Sequence, residues 1–188
     1  QRNANRLKRL VDEMLDVTRI DAGIVKLEPT EIDLAIIASD VVEEFSPMAE
    51  VKHQKLTTDA SRLRVYGDGP KIHRIVANLV FNAIRYTPSS GTVEVLVGEL
   101  DAEHVFIRVR DNGIGIPETE WQQIFEPFSS HEKTMHHTSS VPDSAGLGLY
   151  IAKNLTELHG GKIVVDSTVG EFSEFTVVLP KRNDDDRE

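Results

Sequence analysis

The sequence predicts an α/β fold led by one outlying helix, and three observations carry that prediction. Segments with a helical apolar period are interleaved with segments that alternate apolar and polar residues. The clearest helical pattern, residues 70–86, has strand candidates on both sides. The first 21 residues carry an apolar stripe that a single helix of that length cannot bury alone. The chain has 188 residues, enough for one domain plus an appendage, and 39% of them are hydrophobic, enough for a core.

Residues 1–21 read as one helix, with Leu7, Leu10, Val11, Met14, Leu15 and Val17 along one broad stripe. That width suits a bundle or dimer, and folding back onto the next domain is the alternative. Gly23 is the stop, which sets the expected units: 1–23 as an outlying helix, 24–182 as the main domain and 183–188 as an acidic disordered tail. Residues 24–33 are expected to be extended, because Pro29 interrupts any helix. Leu34, Ile37, Ala38, Val41, Val42, Phe45 and Ala49 give a helix over 34–50, and residues 56–60 and 64–67 are short strands. Pro70 opens the next helix as a first helical residue. Strands follow at 92–100 and 104–111, then a short helix over 117–124. Residues 129–144 read as a lid loop, rich in Ser, Thr and His. Leu147, Ile151, Leu155 and Leu158 mark a last helix, ended by Gly160-Gly161, before strands at 162–167 and 174–179.

The formal net charge of -10 argues against general nucleic-acid binding, since a phosphate backbone would be repelled. No apolar run reaches the roughly 20 residues of a membrane span, so no membrane contact is expected. The absence of cysteine excludes disulfides and thiolate zinc sites and fits a cytoplasmic setting. A first residue other than Met, inside a helical pattern, leads to the expectation of a fragment from a longer protein.

The candidate chemistry centres on Asp111-Asn-Gly-Ile-Gly-Ile116, a carboxylate at a strand end followed by two glycines that permit close backbone approach. A buried Asp111 can accept a hydrogen bond from an exocyclic amine such as that of adenine. On the 70–86 helix, Arg74, Asn78 and Asn82 recur every four residues and Arg85 follows, all opposite the apolar face. Gly146-Leu147-Gly148-Leu149 opens a helix whose bare N–H groups favour phosphate. Asn82 can offer an amide oxygen to Mg²⁺, while Arg85 and Lys133 can offset phosphate charge. The set points to ATP with Mg²⁺ beneath a lid. The Walker pattern is absent, which excludes a P-loop enzyme.

These stretches, in this order, resemble the conserved boxes of sensor histidine kinases of two-component systems: Asn78 through Asn82, Ala83, Arg85, Tyr86 and Thr87; Asp111 with Gly113 and Gly115; Phe125 to Phe128; Gly146 to Leu149; and His159 to Gly161. The segment from Arg6 to Gly23 is similar to the end of the second helix of their dimerisation and phosphoacceptor domain. The resemblance implies a two-layer sandwich of the Bergerat type, with a mixed β-sheet covered by helices on one face. It implies that Asp111 holds the adenine amine, that Asn82 ligates Mg²⁺ and that Asn78 lies beside the phosphates. Arg85 and Tyr86 would line the site, Gly113 and Gly115 would shape the base pocket, and Gly146 and Gly148 the phosphate side. Ile116, Phe128, Leu147 and Leu149 complete the implied nucleotide contacts. The implied partners are ATP, a phosphoacceptor histidine domain, a response-regulator receiver domain and, in the full-length protein, a second copy in a homodimer.

The same fold serves ATPases of the gyrase, Hsp90 and MutL type, which place a Glu four residues before the Mg²⁺ asparagine as a base for water. Here that position is Asn78, and an amide is no base near neutral pH. Transfer to a histidine on another domain, rather than to water, is therefore expected, and the fragment alone would not phosphorylate itself. A nucleotide-binding interaction module without kinase activity and an anti-sigma-type serine kinase are the alternatives. Three departures accompany the resemblance. A phosphoacceptor histidine is missing, and Ser144 and Phe172 stand where glycines are usual. If either backbone required a positive φ, the replacement would cost on the order of 1 to 2 kcal/mol.

Overall fold

The computed structural model describes residues 2–129 and 146–181, with side chains from residue 11 onward except at 12. Lys133, Ser144, the expected lid and the acidic tail lie outside the described residues. The elements are α1 (Arg2–Asp21), β1 (Thr30–Asp33), α2 (Leu34–Val51), β2 (Lys55–Ala60), β3 (Arg64–Gly67), α3 (Gly69–Tyr86), β4 (Thr92–Glu99), β5 (His104–Asp111), α4 (Gly148–Leu158), β6 (Lys162–Thr168) and β7 (Phe172–Pro180).

Five strands form one mixed sheet in the order β2-β4-β5-β7-β6, parallel between β2 and β4 and antiparallel elsewhere. Alternation along the strands sends Val93, Val95, Val97, Val105, Ile107, Val109, Phe175 and Val177 to one face, where all are buried. There they meet Leu34, Ile37 and Val41 of α2, Ile72, Ile75, Val76, Leu79 and Val80 of α3, and Ile151 and Leu155 of α4. The opposite face carries Arg108 stacked over Phe106, Arg110 stacked over Phe172, and Glu174 paired with both arginines. The expected two-layer arrangement is the one observed.

Two local findings differ from the sequence reading. The extended segment 24–33 ends in a paired strand, β1, which joins β3 in a second, two-stranded sheet. The expected short helix at 117–124 is instead two 3₁₀ turns, Glu118–Glu120 and Gln123–Phe125. Ile124, in the second turn, is the one buried residue of the two, so the segment lacks the apolar stripe that sustains a longer helix.

Asp68 sets the start of α3. Its carboxylate accepts from the Lys71 N–H at 3.1 Å and the Glu28 N–H at 2.9 Å, and pairs with the Lys71 ammonium. Burial acts to raise the Asp68 carboxyl, but those hydrogen bonds outweigh it and hold the group below its usual range. The Asp68 N–H donates to His159 Nε2 at 3.1 Å, and His159 Nδ1 lies 2.7 Å from the Leu155 carbonyl. His159 thus closes the C-terminal end of α4, as a helix-capping residue would, and burial lowers its pKa below the usual histidine value. The network ties the start of α3 to the end of α4.

The α1 stripe is divided. Val17 and Ile20 pack against the core, Asp16 pairs with Arg74 of α3, and the Tyr150 hydroxyl of α4 donates to Asp21. Val11, Met14 and Leu15 are about half exposed, at 48%, 52% and 49%. Fold-back therefore accounts for the C-terminal half of the stripe, and a face suited to a second helix remains on the other half.

Candidate functional site

Asp111 is the last residue of β5, with Val93 of β4 and Ser173 of β7 as its register partners. The central position leaves it 4% exposed. Its Oδ1 accepts the Gly113 N–H at 2.8 Å. Burial pushes its pKa up to about 6, against the opposing pull of that N–H, of the Thr87 hydroxyl and of Arg110. The Thr87 hydroxyl is itself buried and lacks a hydrogen bond of ordinary geometry. A carboxylate so placed is costly to ionise alone and gains from a ligand that donates a hydrogen bond to it.

The glycines after Asp111 are required by contact. A Cβ on Gly113 would lie 2.5 Å from Asp111 Oδ1 and 2.7 Å from the Tyr86 carbonyl oxygen. Gly115 has φ +70°, and its Cβ would sit 2.2 Å from the Thr168 carbonyl oxygen. The Ile114 N–H donates to the Tyr86 carbonyl at 3.3 Å, which fastens the loop to the end of α3.

An open pocket of about 710 Å³, counting its mouth, runs from Asp111 toward α4. Asn82, Ala83 and Tyr86 of α3 line it, with Ile114, Gly115 and Ile116 on the loop side. Gly146, Gly148 and Leu149 line its far end, and Ser129 sits close to Gly146. α4 begins at Gly148 with no side-chain cap. Beside it, Asn78 approaches Gly148 closely, Asn78 Oδ1 lying 3.4 Å from where a Cβ would stand. Among the described residues, Asn78 Nδ2 is buried without a hydrogen-bond partner. A buried N–H₂ group with nothing to donate to, next to an open helix N-terminus, is a site that fits an anion.

The pocket therefore gathers Asn82, Tyr86, Asp111, Gly115, Ile116, Gly146, Gly148 and Leu149, while Asn78 and Gly113 act from directly behind its wall. Other expected contacts are placed differently. The Leu147 side chain is fully buried in the core and does not line the pocket. Phe128 is 59% exposed, with φ +62°. Arg85 stacks over the Tyr86 ring, 5.7 Å from its centroid, outside the pocket wall. Arg74, on the same helix face as Asn78, pairs with Asp16. Phe172 takes ordinary strand geometry within β7, so its replacement of a glycine carries no positive-φ penalty.

Ser173, Ile114, Ile124 and Phe175 also line the pocket and were not anticipated. Ser173 had a signal: it is the polar residue at an inward-facing position of a strand that then reads Phe175 and Val177.

Residues 67–183 match the family model of the histidine kinase-, DNA gyrase B-, and HSP90-like ATPases. The chain belongs to that family. Among its relatives, the chain is 36% identical to the sensor protein kinase PmrB of Pseudomonas aeruginosa over 98% of its own length and 38% of PmrB. It is 34% identical to the sensor protein GacS of Pseudomonas syringae over its full length and 21% of GacS. A third relative is the circadian input-output histidine kinase CikA of Synechococcus elongatus, 33% identical over 94% of this chain and 23% of CikA. The chain thus spans between about a fifth and two fifths of the length of these proteins. Full-length ShkA, in a crystal structure with AMPPNP, superposes with TM-score 0.82 at 27% identity over 95% of this chain and 36% of that one. The nucleotide-free catalytic domain of histidine kinase ThkA superposes with TM-score 0.71 at 27% identity, covering 83% of this chain and 99% of that one. The sandwich of mixed sheet and helices is that of histidine kinase catalytic domains.

Proposed function

We propose that this chain is the ATP-binding catalytic core of a sensor histidine kinase. It holds Mg–ATP and presents the γ-phosphoryl group to a histidine on a dimerisation domain, for relay to a response-regulator aspartate. The observation that carries the reading is the polarity of one pocket: a buried carboxylate that gains from a donor at one end, and a buried unpaired amide N–H₂ beside an open helix N-terminus at the other. Adenine supplies the donor, through its exocyclic amine, and the phosphates supply the acceptors. Relatives named as sensor kinases, and neighbours solved with AMPPNP or with a response regulator, support the same reading.

Each residue has a role in that scheme. Asp111 orients the base, and Gly113 and Gly115 let the backbone lie flat against it. Ile114, Ile116, Ile124 and Phe175 keep water from the ring. Asn78 and the first N–H groups of α4 bind phosphate oxygens. Asn82, which lines the pocket, would offer its amide oxygen to a Mg²⁺ ion carried in with the nucleotide. Among the described residues no group of three or more His, Cys, Asp or Glu could hold a metal by itself, which fits an ion carried in with the nucleotide. An ion held there would supply positive charge to offset that of the phosphates. The incoming imidazole nitrogen bonds to the γ-phosphorus while the bond to the ADP oxygen breaks. The chain's part is positioning, since Asn78 cannot take a proton from water. The half-exposed α1 face formed by Val11, Met14 and Leu15 would join the dimerisation bundle. Among the described residues no helix is long and apolar enough to cross a membrane, and the core is proposed to work on the cytoplasmic side.

The test is calorimetric titration of Mg–ATP, followed by phosphorylation of an added histidine-bearing dimerisation domain. Binding at micromolar to millimolar nucleotide with transfer to the added histidine is expected. Binding without transfer to any acceptor domain would leave a nucleotide-binding module and defeat the kinase reading.

A further inference from the structure

The base end of the pocket is held from behind by residues that never touch it. α2 is followed by Lys52 and then by His53, whose φ of +54° is rare for a residue other than glycine. That turn sends the side chains of Lys52 and Gln54 back to the C-terminal end of α3. Lys52 Nζ donates to the carbonyls of Ile84 at 2.7 Å, Arg85 at 3.0 Å and Thr87 at 2.5 Å. Gln54 is 7% exposed, and its Nε2 lies 3.1 Å from the Ile84 carbonyl, 2.6 Å from that of Thr87 and 3.2 Å from that of Pro88. Two backbone bonds reinforce the junction, Ser90 N–H to the Lys52 carbonyl at 3.0 Å and Lys55 N–H to the Gly91 carbonyl at 2.9 Å.

A helix C-terminus leaves carbonyls in need of donors, and one lysine near its end is an ordinary solution. Here two side chains from a distant turn converge on a single short segment, residues 84–88, and both reach the Thr87 carbonyl. That segment is the support of the base site. Tyr86 lines the pocket and its carbonyl receives the Ile114 N–H. Thr87 is 1% exposed, and its hydroxyl is near enough to Asp111 to favour the ionised carboxylate. If the 84–88 segment shifts, the carboxylate loses both its neighbour and the anchor of its loop.

We infer that Lys52 and Gln54 are positioning residues for base recognition. By holding Tyr86 and Thr87 against Asp111 and Ile114, they set the preference for a purine with an exocyclic amino group over one with a carbonyl at the same place. The inference rests on the adenine reading above. It predicts a loss confined to the base end, because α4 and Asn78 receive nothing from the clamp.

The experiment compares Mg–ATP with Mg–ITP, which differ in that amino group, by calorimetric titration of wild type, Lys52→Met, Gln54→Glu and Lys52→Arg. Wild type is expected to prefer ATP by about tenfold or more, the effect of one hydrogen-bonding group in a built site. Lys52→Met and Gln54→Glu are expected to cut that preference at least about threefold, and Lys52→Arg, which keeps the donors, to restore it to within about twofold. A ratio of two affinities is insensitive to the folded fraction, so general destabilisation leaves it unchanged. Gln54→Glu keeps the side-chain size but exchanges the donating amide for a carboxylate that the Ile84, Thr87 and Pro88 carbonyls repel, so it breaks the Gln54 half of the clamp while leaving the Lys52 side chain in place. An unchanged ATP preference in either folded variant overturns the clamp while sparing the adenine reading. No preference in wild type overturns the adenine reading, and the clamp with it.

Discussion

Gly115 and Gly148 stand on opposite walls of one pocket, yet a methyl group added at each meets a different fate. At Gly115 the added carbon would collide with the Thr168 carbonyl at 2.2 Å and Val169 Cα at 2.6 Å, from a backbone at φ +70°. At Gly148 its nearest neighbour is the end of the Asn78 side chain, at 3.4 Å. The wall proposed for the base is therefore backbone packed on backbone, and the wall proposed for the phosphates is a helix end without such contact. Rigid contact suits a flat ring of fixed shape, while an open donor-rich end suits a flexible charged chain. The largest expected effect tests this difference. Gly115→Ala should cost more than about 3 kcal/mol in denaturant unfolding, from clash and positive φ together. Gly148→Ala should stay within about 1 kcal/mol, because the added carbon meets only ordinary contact at 3.4 Å from a backbone without a positive φ. It should still weaken triphosphate binding by crowding Asn78. Equal costs at the two positions would erase the distinction.

The next effect sharpens the base side. Asp111→Asn keeps an oxygen for the Gly113 N–H but cannot accept an amine as a carboxylate does, so ATP affinity should fall by about 10- to 100-fold. Stability without nucleotide should move the other way. The folded-state pKa of Asp111, about 6, lies above the usual 3.8, so the unfolded chain ionises first as pH rises. Stability from this group is therefore intact below about pH 4 and declines up to about pH 6, by about 3 kcal/mol in total. Above pH 6 the asparagine variant should be the more stable one, and below pH 4 the gain should vanish. Asp68 acts in the opposite sense, losing its contribution as pH falls through its folded-state value, so the difference between variant and wild type isolates Asp111. Nucleotide affinity of the wild type should fall about tenfold per unit once pH drops below about 6, since the protonated acid no longer accepts the amine. A flat affinity profile from pH 5 to 8 would remove Asp111 from the base contact.

The same contrast explains what the sequence disclosed. The α3 pattern, the β4–β5 pair and the Asp111 and Gly146 motifs are local, so period and spacing reveal them within a few turns of chain. The support of the base wall is not local. Ser173 meets Asp111 only because β5 and β7 pair in one register across 62 positions, and a slip of one residue would turn Ser173 outward. Lys52 and Gln54 lie 30 to 35 positions from the carbonyls they hold, and a lysine after a helix reads as an ordinary surface residue. The pairing of β1 with β3 was hidden likewise, because an extended segment does not name its partner.

The smallest effect concerns what leans on the phosphate wall. Arg74 precedes Asn78 by one helical turn, and Tyr150 lies in the first turn of α4, so both α1 contacts reach the molecule at that wall. Asp16 meets the first and Asp21 the second. Neither contact touches the base wall. Arg74→Ala should therefore lower global stability by less than about 1 kcal/mol, as a partly exposed ion pair allows. Amide exchange in the last turns of α1 should nevertheless quicken severalfold, because that segment loses one of the contacts that hold it beside those of Val17, Ile20 and Tyr150. Adenosine affinity should not change, while triphosphate affinity should shift by no more than about threefold through Asn78. If α1 exchange stays slow, the apolar contacts of Val17 and Ile20 are sufficient and the ion pair is incidental. If adenosine affinity moves as well, the two walls are mechanically coupled, and the His159–Asp68 bond between α3 and α4 is the first place to look for the link.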